Sequence, residues 1–158
     1  MAPAADSGLR FREATPADLP LLGAYMRALR LEDPFPGPVD ESVADAAVAG
    51  LLDDRALGRV WVIYDGDHPA GYVVLTFTYS IEFGGRAAFI DELYVAPDRR
   101  GRGIGRQTLA FLTRSAAAMS VRVLLLEVTP TNEPARRLYS SAGFAERTYR
   151  LMTRRVDH

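Results

Sequence analysis

An α/β or α+β domain built on a mixed sheet is what this sequence predicts, and three observations carry that expectation. Segments of strand period and helical period alternate along the chain in the order β-α-α-β-β-β-α-β-α-β-β. The run "VRVLLLEVTP" (121–130) is continuously apolar rather than alternating, as a strand covered on both faces is. No repeat, low-complexity stretch or linker interrupts the 158 residues, a length that suits one domain with a substantial core. The expected architecture is six to seven strands with about four helices, spanning 9–158 after a disordered leader at 1–8.

The elements follow in order. "LRFREA" (9–14) alternates as a short strand. "TPADLPLLGAYMRALRLE" (15–32) opens a helix with Thr15 as N-cap, Pro16 at the first helical position and Asp18 in place of the usual capping-box Glu. Leu19, Leu22, Met26 and Leu29 then form its apolar stripe. "EDPFPGPVD" (32–40) has three prolines and a glycine and cannot be helix. A second helix fits 41–54. Strands at 59–65 and 70–80 meet through "GDHP", a hairpin signal, and a third strand, 86–95, follows the turn at "FGG". A helix over about 103–119 leads to the apolar run. The segment 132–143 reads as a short helix ended by Gly143, and 144–155 closes the chain with one or two strands.

Composition excludes several function classes. The formal charge of −1 offers no global basic field for nucleic acid. Without cysteine there are no disulfides, thiolate metal sites or cysteine nucleophiles. His68 lies in a turn and His158 ends the chain, which suits solvated side chains better than metal ligands, so no metal is expected. No apolar run approaches the ~20 residues of a membrane helix, and the start lacks a secretory pattern. A cytoplasmic protein without membrane or nucleic-acid partners is expected.

The chemistry concentrates at "RRGRGIGR" (99–106), between strand and helix. A glycine-rich turn entering a helix cradles phosphate, because the first amides of the helix have no partners and glycine lets the backbone approach an anion. Arginines add forked donors. The P-loop pattern fails, since Arg106-Gln107 stands where Lys and Ser or Thr are required. The dinucleotide fingerprint fails at its third glycine, which is Arg106 here.

The pattern that does match is Arg-x-x-Gly-x-Gly, from Arg100 to Gly105, preceded by "DELYVAPDR". This segment resembles the acetyl-CoA pyrophosphate site of the GNAT N-acetyltransferase family. "LLLEVTPTNEPARRLYSSAGF" (124–144) resembles the family's second cofactor segment, and the two together span roughly 85–151. The resemblance implies a single, mostly antiparallel acetyltransferase domain with acetyl-CoA as co-substrate. It assigns Arg100, Gly101, Arg102, Gly103, Ile104 and Gly105 to the pyrophosphate. Leu93 and Val95 would hold the pantetheine arm and the acetyl carbonyl through strand backbone. Asn132 would contact the pantetheine or cap its helix, Arg136 or Arg137 would lie near the 3′-phosphate, and Tyr139 would serve as the acid beside the sulfur.

An amine attacks a thioester only when unprotonated, yet an alkyl ammonium has a pKa of about 10, so a proton acceptor is required. Because polyamine-type members of the resembled family carry a Glu at the position matching Asp91, the resemblance makes Asp91 the first choice for that base through water and Glu92 the second; regular alternation would send them to opposite sheet faces. The amide at Val95 would stabilise the developing oxyanion. Blander roles compete: Tyr139 and Trp61 as core aromatics, Asp91 and Glu92 as surface charges, and Arg99, Arg102 and Arg106 as a solvated rim.

The acceptor would bind opposite the cofactor, where Glu32, Asp33, Phe35, Tyr79, Glu82, Phe83 and Tyr149 offer acidic and aromatic groups suited to a cationic amine. "YSIEFGGRAAFIDELYV" looks most like the polyamine and thialysine branch, with Asp-Glu where that branch has Glu-Asp. Acetylation of a protein lysine or N-terminus, or of an aminoglycoside, stays open, as does a non-catalytic acetyl-CoA-binding module. The resemblance is also compatible with a homodimer paired through the C-terminal strands.

Overall fold

A computed structural model describes residues 8–34 and 37–156. The chain divides into two compact units, Met1–Glu127 and Val128–His158. The first holds strands β1 (Leu9–Glu13), β2 (Gly58–Asp65), β3 (His68–Ser80), β4 (Gly85–Val95) and β5 (Val123–Leu125). It also holds helices α1 (Leu19–Glu32), α2 (Glu41–Asp53) and α3 (Ile104–Ala118). The second holds helix α4 (Glu133–Ser141). The fold is α+β, with a five-stranded mixed sheet in the order β1-β2-β3-β4-β5, antiparallel except for the β4–β5 pair.

Helices cover both faces of the sheet, α1 and α2 on one and α3 on the other. Leu22 and Met26 of α1 and Val48 of α2 pack with Val60, Val62, Tyr72, Val74 and Tyr94 on one face. On the other, Ile104 of α3 packs with Ile63 and Ala70, against Leu9, Phe11, Leu93 and Val95. Phe111 stacks on Phe11 at 4.2 Å and meets the edge of Trp61 at 5.3 Å, so Trp61 is a core aromatic. Helix α1 begins as its sequence specifies. Pro16–Asp18 form a 3-10 turn, and the Asp18 carboxylate accepts from the Thr15 amide at 2.8 Å. The start of α2 is capped by Asp40, which accepts from the Ser42 amide at 2.9 Å.

Two strand expectations require correction. The apolar run 121–130 is a strand only at Val123–Leu125, paired in parallel with Ala87–Phe89. Its ladder ends just before β4 takes up an extra residue at Asp91, a bulge of the kind that bends a strand and interrupts pairing. The expected strands at 144–155 are absent among the described residues. After Phe144, the segment 145–156 is exposed throughout, so no buried face rewards alternation. The sheet therefore has five strands rather than six to seven.

Candidate active site

The glycine-rich segment forms an open cradle at the head of α3. Strand β4 hands over at Ala96, whose amide donates to the Ala70 carbonyl at 2.8 Å, and Pro97–Arg99 make a 3-10 turn. Gly101 and Gly103 then take φ of 75° and 76°, the left-handed region that costs a residue with a Cβ about 1–2 kcal/mol. Gly103 is the N-cap, and the first bond into the helix runs from the Gln107 amide to the Gly103 carbonyl at 3.0 Å. The amides of Ile104, Gly105 and Arg106 precede that bond, so the helix supplies them no carbonyl. A Cβ at Gly101 would meet nothing within 4 Å. Buried Ile104 anchors the turn beneath. The cradle thus has the conformation, the donors and the room that a pyrophosphate requires.

Its arginine side chains are otherwise engaged. Arg100 Nη2 donates to both Glu32 carboxylate oxygens at 2.9 and 2.7 Å, and its Nε donates to the Val95 carbonyl at 2.8 Å. Arg99 and Arg102 both reach Asp65 Oδ2, at 3.3 and 3.2 Å. Arg99 is half-buried, whereas Arg102, although paired, and Arg106 are exposed at the rim of the loop. The side chains of Arg99, Arg100 and Arg102 tie the loop to the ends of α1 and β2. Glu32, expected to meet the acceptor, is the partner of Arg100 in this loop.

Strand β4 carries the candidate bases, and its register changes where they lie. Val74 pairs with Glu92, whereas the next residue, Leu75, pairs with Ile90, leaving Asp91 as the extra residue of a bulge. Ile90 and Glu92 thus face opposite sides although two apart, so the alternation that would separate Asp91 from Glu92 fails at this step. The charge of Asp91 acts on both Tyr72 and Glu92, which places the two carboxyls in one neighbourhood.

Glu92 is the more enclosed of the pair. Its Oε2 accepts from the hydroxyl of fully buried Tyr72 at 2.7 Å. Burial pushes its pKa above the ordinary range; the Tyr72 hydrogen bond and the Arg30 charge pull it back, and Asp91 pushes it up. Asp91 is more exposed, yet the surrounding chain withdraws enough water to raise its carboxyl too. Burial raises the Tyr72 phenol strongly, with the Glu92 charge next, so it stays a donor. Tyr25 lies parallel to Tyr72 at 6.1 Å and tilts against Tyr94 at 5.3 Å.

Past Phe89, β4 has no β5 partner among the described residues, so from Ile90 onward that side of the strand is without ladder pairing there. The side chains of Leu93 and Val95 pack with Ile104 on the α3 face. Tyr79 stands 75% exposed opposite Arg86 near the β3–β4 turn that contains Glu82. Five residues of strand separate Tyr79 from Val74, roughly 17 Å at the usual rise. The expected acceptor residues are therefore not gathered: Glu32 sits by the cradle, Tyr79 and Glu82 at the far turn. Phe35 lies outside the described residues.

In the second unit, the Asn132 side chain accepts from the Ala135 amide at 3.2 Å and caps α4. Arg136 Nε donates to Glu146 at 2.9 Å, and Arg137 pairs with Glu133 at 3.0 Å. The Tyr139 ring meets the Phe144 edge at 6.0 Å, and the Phe144 amide donates to the Tyr139 carbonyl at 3.0 Å. Sequence reading missed Tyr72, Tyr25, Tyr94, Arg30 and Asp65. The one available signal was tyrosine recurring in paired strands, and only the register makes it meaningful. Among the described residues no three His, Asp or Glu side chains could share a metal ion, and no helix is long and apolar enough to cross a membrane.

Comparison with known proteins adds to this geometry. Residues 24–144 match the model of the Acetyltransferase (GNAT) family. Streptothricin acetyltransferase of Streptomyces lavendulae is 32% identical over 138 residues, covering 87% of this chain and 64% of that protein. Thialysine N-epsilon-acetyltransferase of Bos taurus is 32% identical over 78 residues, covering 49% of this chain and 45% of that one. An integron cassette protein from the mobile metagenome of Cole Harbour Salt Marsh superposes with a TM-score of 0.79 at 33% identity, covering 94% of this chain and 91% of its own. The chain spans about half to two thirds of the length of the curated relatives it matches.

Proposed function

The chain belongs to the GNAT acetyltransferase family, and from that premise we propose that it is an N-acetyltransferase moving an acetyl group from acetyl-CoA to a small cationic primary amine, with residues 9–158 acting as one domain. The observation that carries this reading is the cradle from Arg100 to Gly105, whose two left-handed glycines expose the first amides of α3. Those amides and the backbone of Leu93 and Val95 would hold the cofactor, with Asn132 and Arg136 assigned to it from the second unit. Bound there, acetyl-CoA supplies an activated thioester.

The chain's own residues supply the rest. A carboxylate accepts a proton from the incoming ammonium, directly or through water, leaving the amine neutral. Glu92 is favoured over Asp91 because it is more enclosed and held by Tyr72. The neutral amine attacks the thioester carbonyl carbon, with the Val95 amide assigned to the acetyl oxygen. The C–N bond forms and the C–S bond breaks as Tyr139 protonates the leaving sulfur, and the second amine proton passes, directly or through water, back to the Tyr139 phenolate. Three observations favour a cationic acceptor: paired acids on β4, a tyrosine cluster beside them, and two relatives whose names describe acetylation of specific small molecules. The acids and tyrosines lie nearer the cradle than Tyr79 and Glu82 do, so those two are proposed only as outer acceptor contacts.

The test is release of free CoA thiol from acetyl-CoA against spermidine, putrescine, thialysine, lysine, streptothricin, an aminoglycoside and a lysine-bearing peptide. Turnover concentrated on one small amine supports the reading; turnover on the peptide alone moves the acceptor to protein. Absence of turnover with a preserved thermal shift by acetyl-CoA identifies a non-catalytic binding module. Absence of any shift overturns the reading, since a ligand at ~100 times its Kd adds about 2.7 kcal/mol.

A further inference from the structure

The Tyr72–Glu92 pair has a third member that the reading above leaves idle. Arg30, two residues before the end of α1, has its Nη2 buried without a hydrogen-bond partner among the described residues. A buried guanidinium nitrogen left unpaired is destabilising, so its presence needs a reason. Its charge reaches both Tyr72 and Glu92.

The inner surroundings are acidic, aromatic or aliphatic, with further charges at the rim. From α1 come Tyr25 and Arg30, from β3 Tyr72, and from β4 Asp91 and Tyr94. The remaining neighbours in this core, Val48 of α2 and Val60 and Val62 of β2, carry no charge. At the rim, Arg100, itself paired with Glu32, lies over the Tyr94 ring at 5.6 Å, and the charges of Asp98 and Arg99 reach Tyr25; among the described residues Arg30 is the cation whose charge acts on both Tyr72 and Glu92.

We propose that Tyr72 and Arg30 are positioning residues for Glu92: the phenol fixes the orientation of its carboxylate, and the guanidinium supplies the opposing charge that keeps it in its proton-accepting form. Tyr72 suits the task because it is fully buried, packed parallel to Tyr25, and joined to Glu92 across the strand pair by a 2.7 Å bond. The bulge at Asp91 gives the arrangement its setting, since it puts Glu92 on the Tyr72 face directly after Ile90 on the other. Tyr72 keeps its own proton throughout; the proton leaving the ammonium goes to Glu92. The inference rests on the acetyltransferase reading in taking Glu92 as the proton acceptor.

Two readouts separate it from that reading. First, the carboxyl of Glu92 is titrated by carbon NMR in the full chain, assigned with Glu92→Gln. Tyr72→Phe and Arg30→Met should each raise its midpoint by at least about half a pH unit, a threefold change in the proton equilibrium, and Asp91→Asn should lower it. Arg30→Lys, which keeps the charge, should stay near the unmodified chain and shows that the Met variant is not simply misfolded. Second, with an amine that is turned over, the acid limb of kcat/KM should move up in Tyr72→Phe by the same amount. Unmoved midpoints in Tyr72→Phe and Arg30→Met overturn the proposal even where turnover falls. If no amine is acetylated while the midpoints move as stated, the positioning holds and the acetyltransferase reading is the one that fails.

Discussion

Asp18 and Glu92 are both carboxylates set among an arginine and a tyrosine, in the same unit, yet they are held in opposite ways. At Asp18, Arg12 donates from both nitrogens at 3.0 and 2.7 Å and also reaches the Tyr64 hydroxyl at 2.8 Å. The pairing holds the Asp18 carboxyl down at about 2. At Glu92 the tyrosine makes the bond while the arginine contributes charge with one nitrogen unpartnered among the described residues, and burial wins, raising the carboxyl. The first cluster is satisfied and pins β1 to the turn before α1. The second keeps a carboxylate short of partners, which suits a group that must bind a proton and release it. Geometry, rather than residue type, separates a structural ion pair from a candidate base.

The sharpest break of this comparison is Glu92→Gln. It should lower acetyl transfer by about 10²–10⁴-fold, as loss of a general base does. It should also raise Tm at pH 7, because a buried charge is removed. Asp18→Asn should do the reverse, lowering Tm and leaving turnover intact. Thermal melts beside the CoA-thiol assay check both; a Glu92→Gln protein that is active and less stable would erase the contrast.

A smaller effect should come from the cradle. Gly103→Val places a β-branched side chain at φ 76° and should be destabilising by about 1–2 kcal/mol. Acetyl-CoA affinity should fall at least about tenfold, since the loop must shift its amides. Calorimetric titration with acetyl-CoA reads it.

The pH dependence sharpens the difference further. Asp18 has a folded value below its unfolded one, so its contribution, about 1–2 kcal/mol, is complete above pH ~4 and disappears as pH falls from there toward 2. Glu92 has the opposite sign: its folded value is raised, so stability declines as pH climbs from the ordinary glutamate range through that higher value. Denaturant unfolding across pH 2–8 should show Asp18→Asn flattening the acid limb and Glu92→Gln flattening the decline above it. The smallest effect belongs to Tyr79→Ala, which should change stability by less than about 0.5 kcal/mol at its exposed position. A large loss of turnover there would move the acceptor site to the β3–β4 turn.

Legibility from sequence followed the range of the interactions involved. The cradle could be read because its determinants are consecutive: glycines at 101 and 103 where φ must be positive, and a helix beginning at once. Helix α1 was readable from Thr15, Pro16 and Asp18 for the same reason. The Tyr72–Glu92 bond was not, because twenty residues separate its partners and only strand register brings them together. Period-two reasoning predicts opposite faces for Asp91 and Glu92, and one inserted residue undoes it. The same insertion explains why the apolar run at 121–130, so strand-like in composition, pairs over three residues only. At 144–155 the segment was read as one or two closing strands, but 145–156 is exposed throughout, and without a face to bury it forms none among the described residues.

The bulge also bears on how this chain tolerates insertion and deletion. Removing any other single residue from the paired part of β4 shifts one side of the ladder by one place and turns buried side chains outward. Removing Asp91 does not: Ile90 would stay opposite Leu75 and Glu92 opposite Val74, now as a regular step. A relative lacking that residue would be compatible with the same core and the same Tyr72–Glu92 pairing while losing one carboxylate and the extra bend. In an alignment of this strand, a one-residue gap at position 91 is thus a change in local charge and curvature, not a break in the fold.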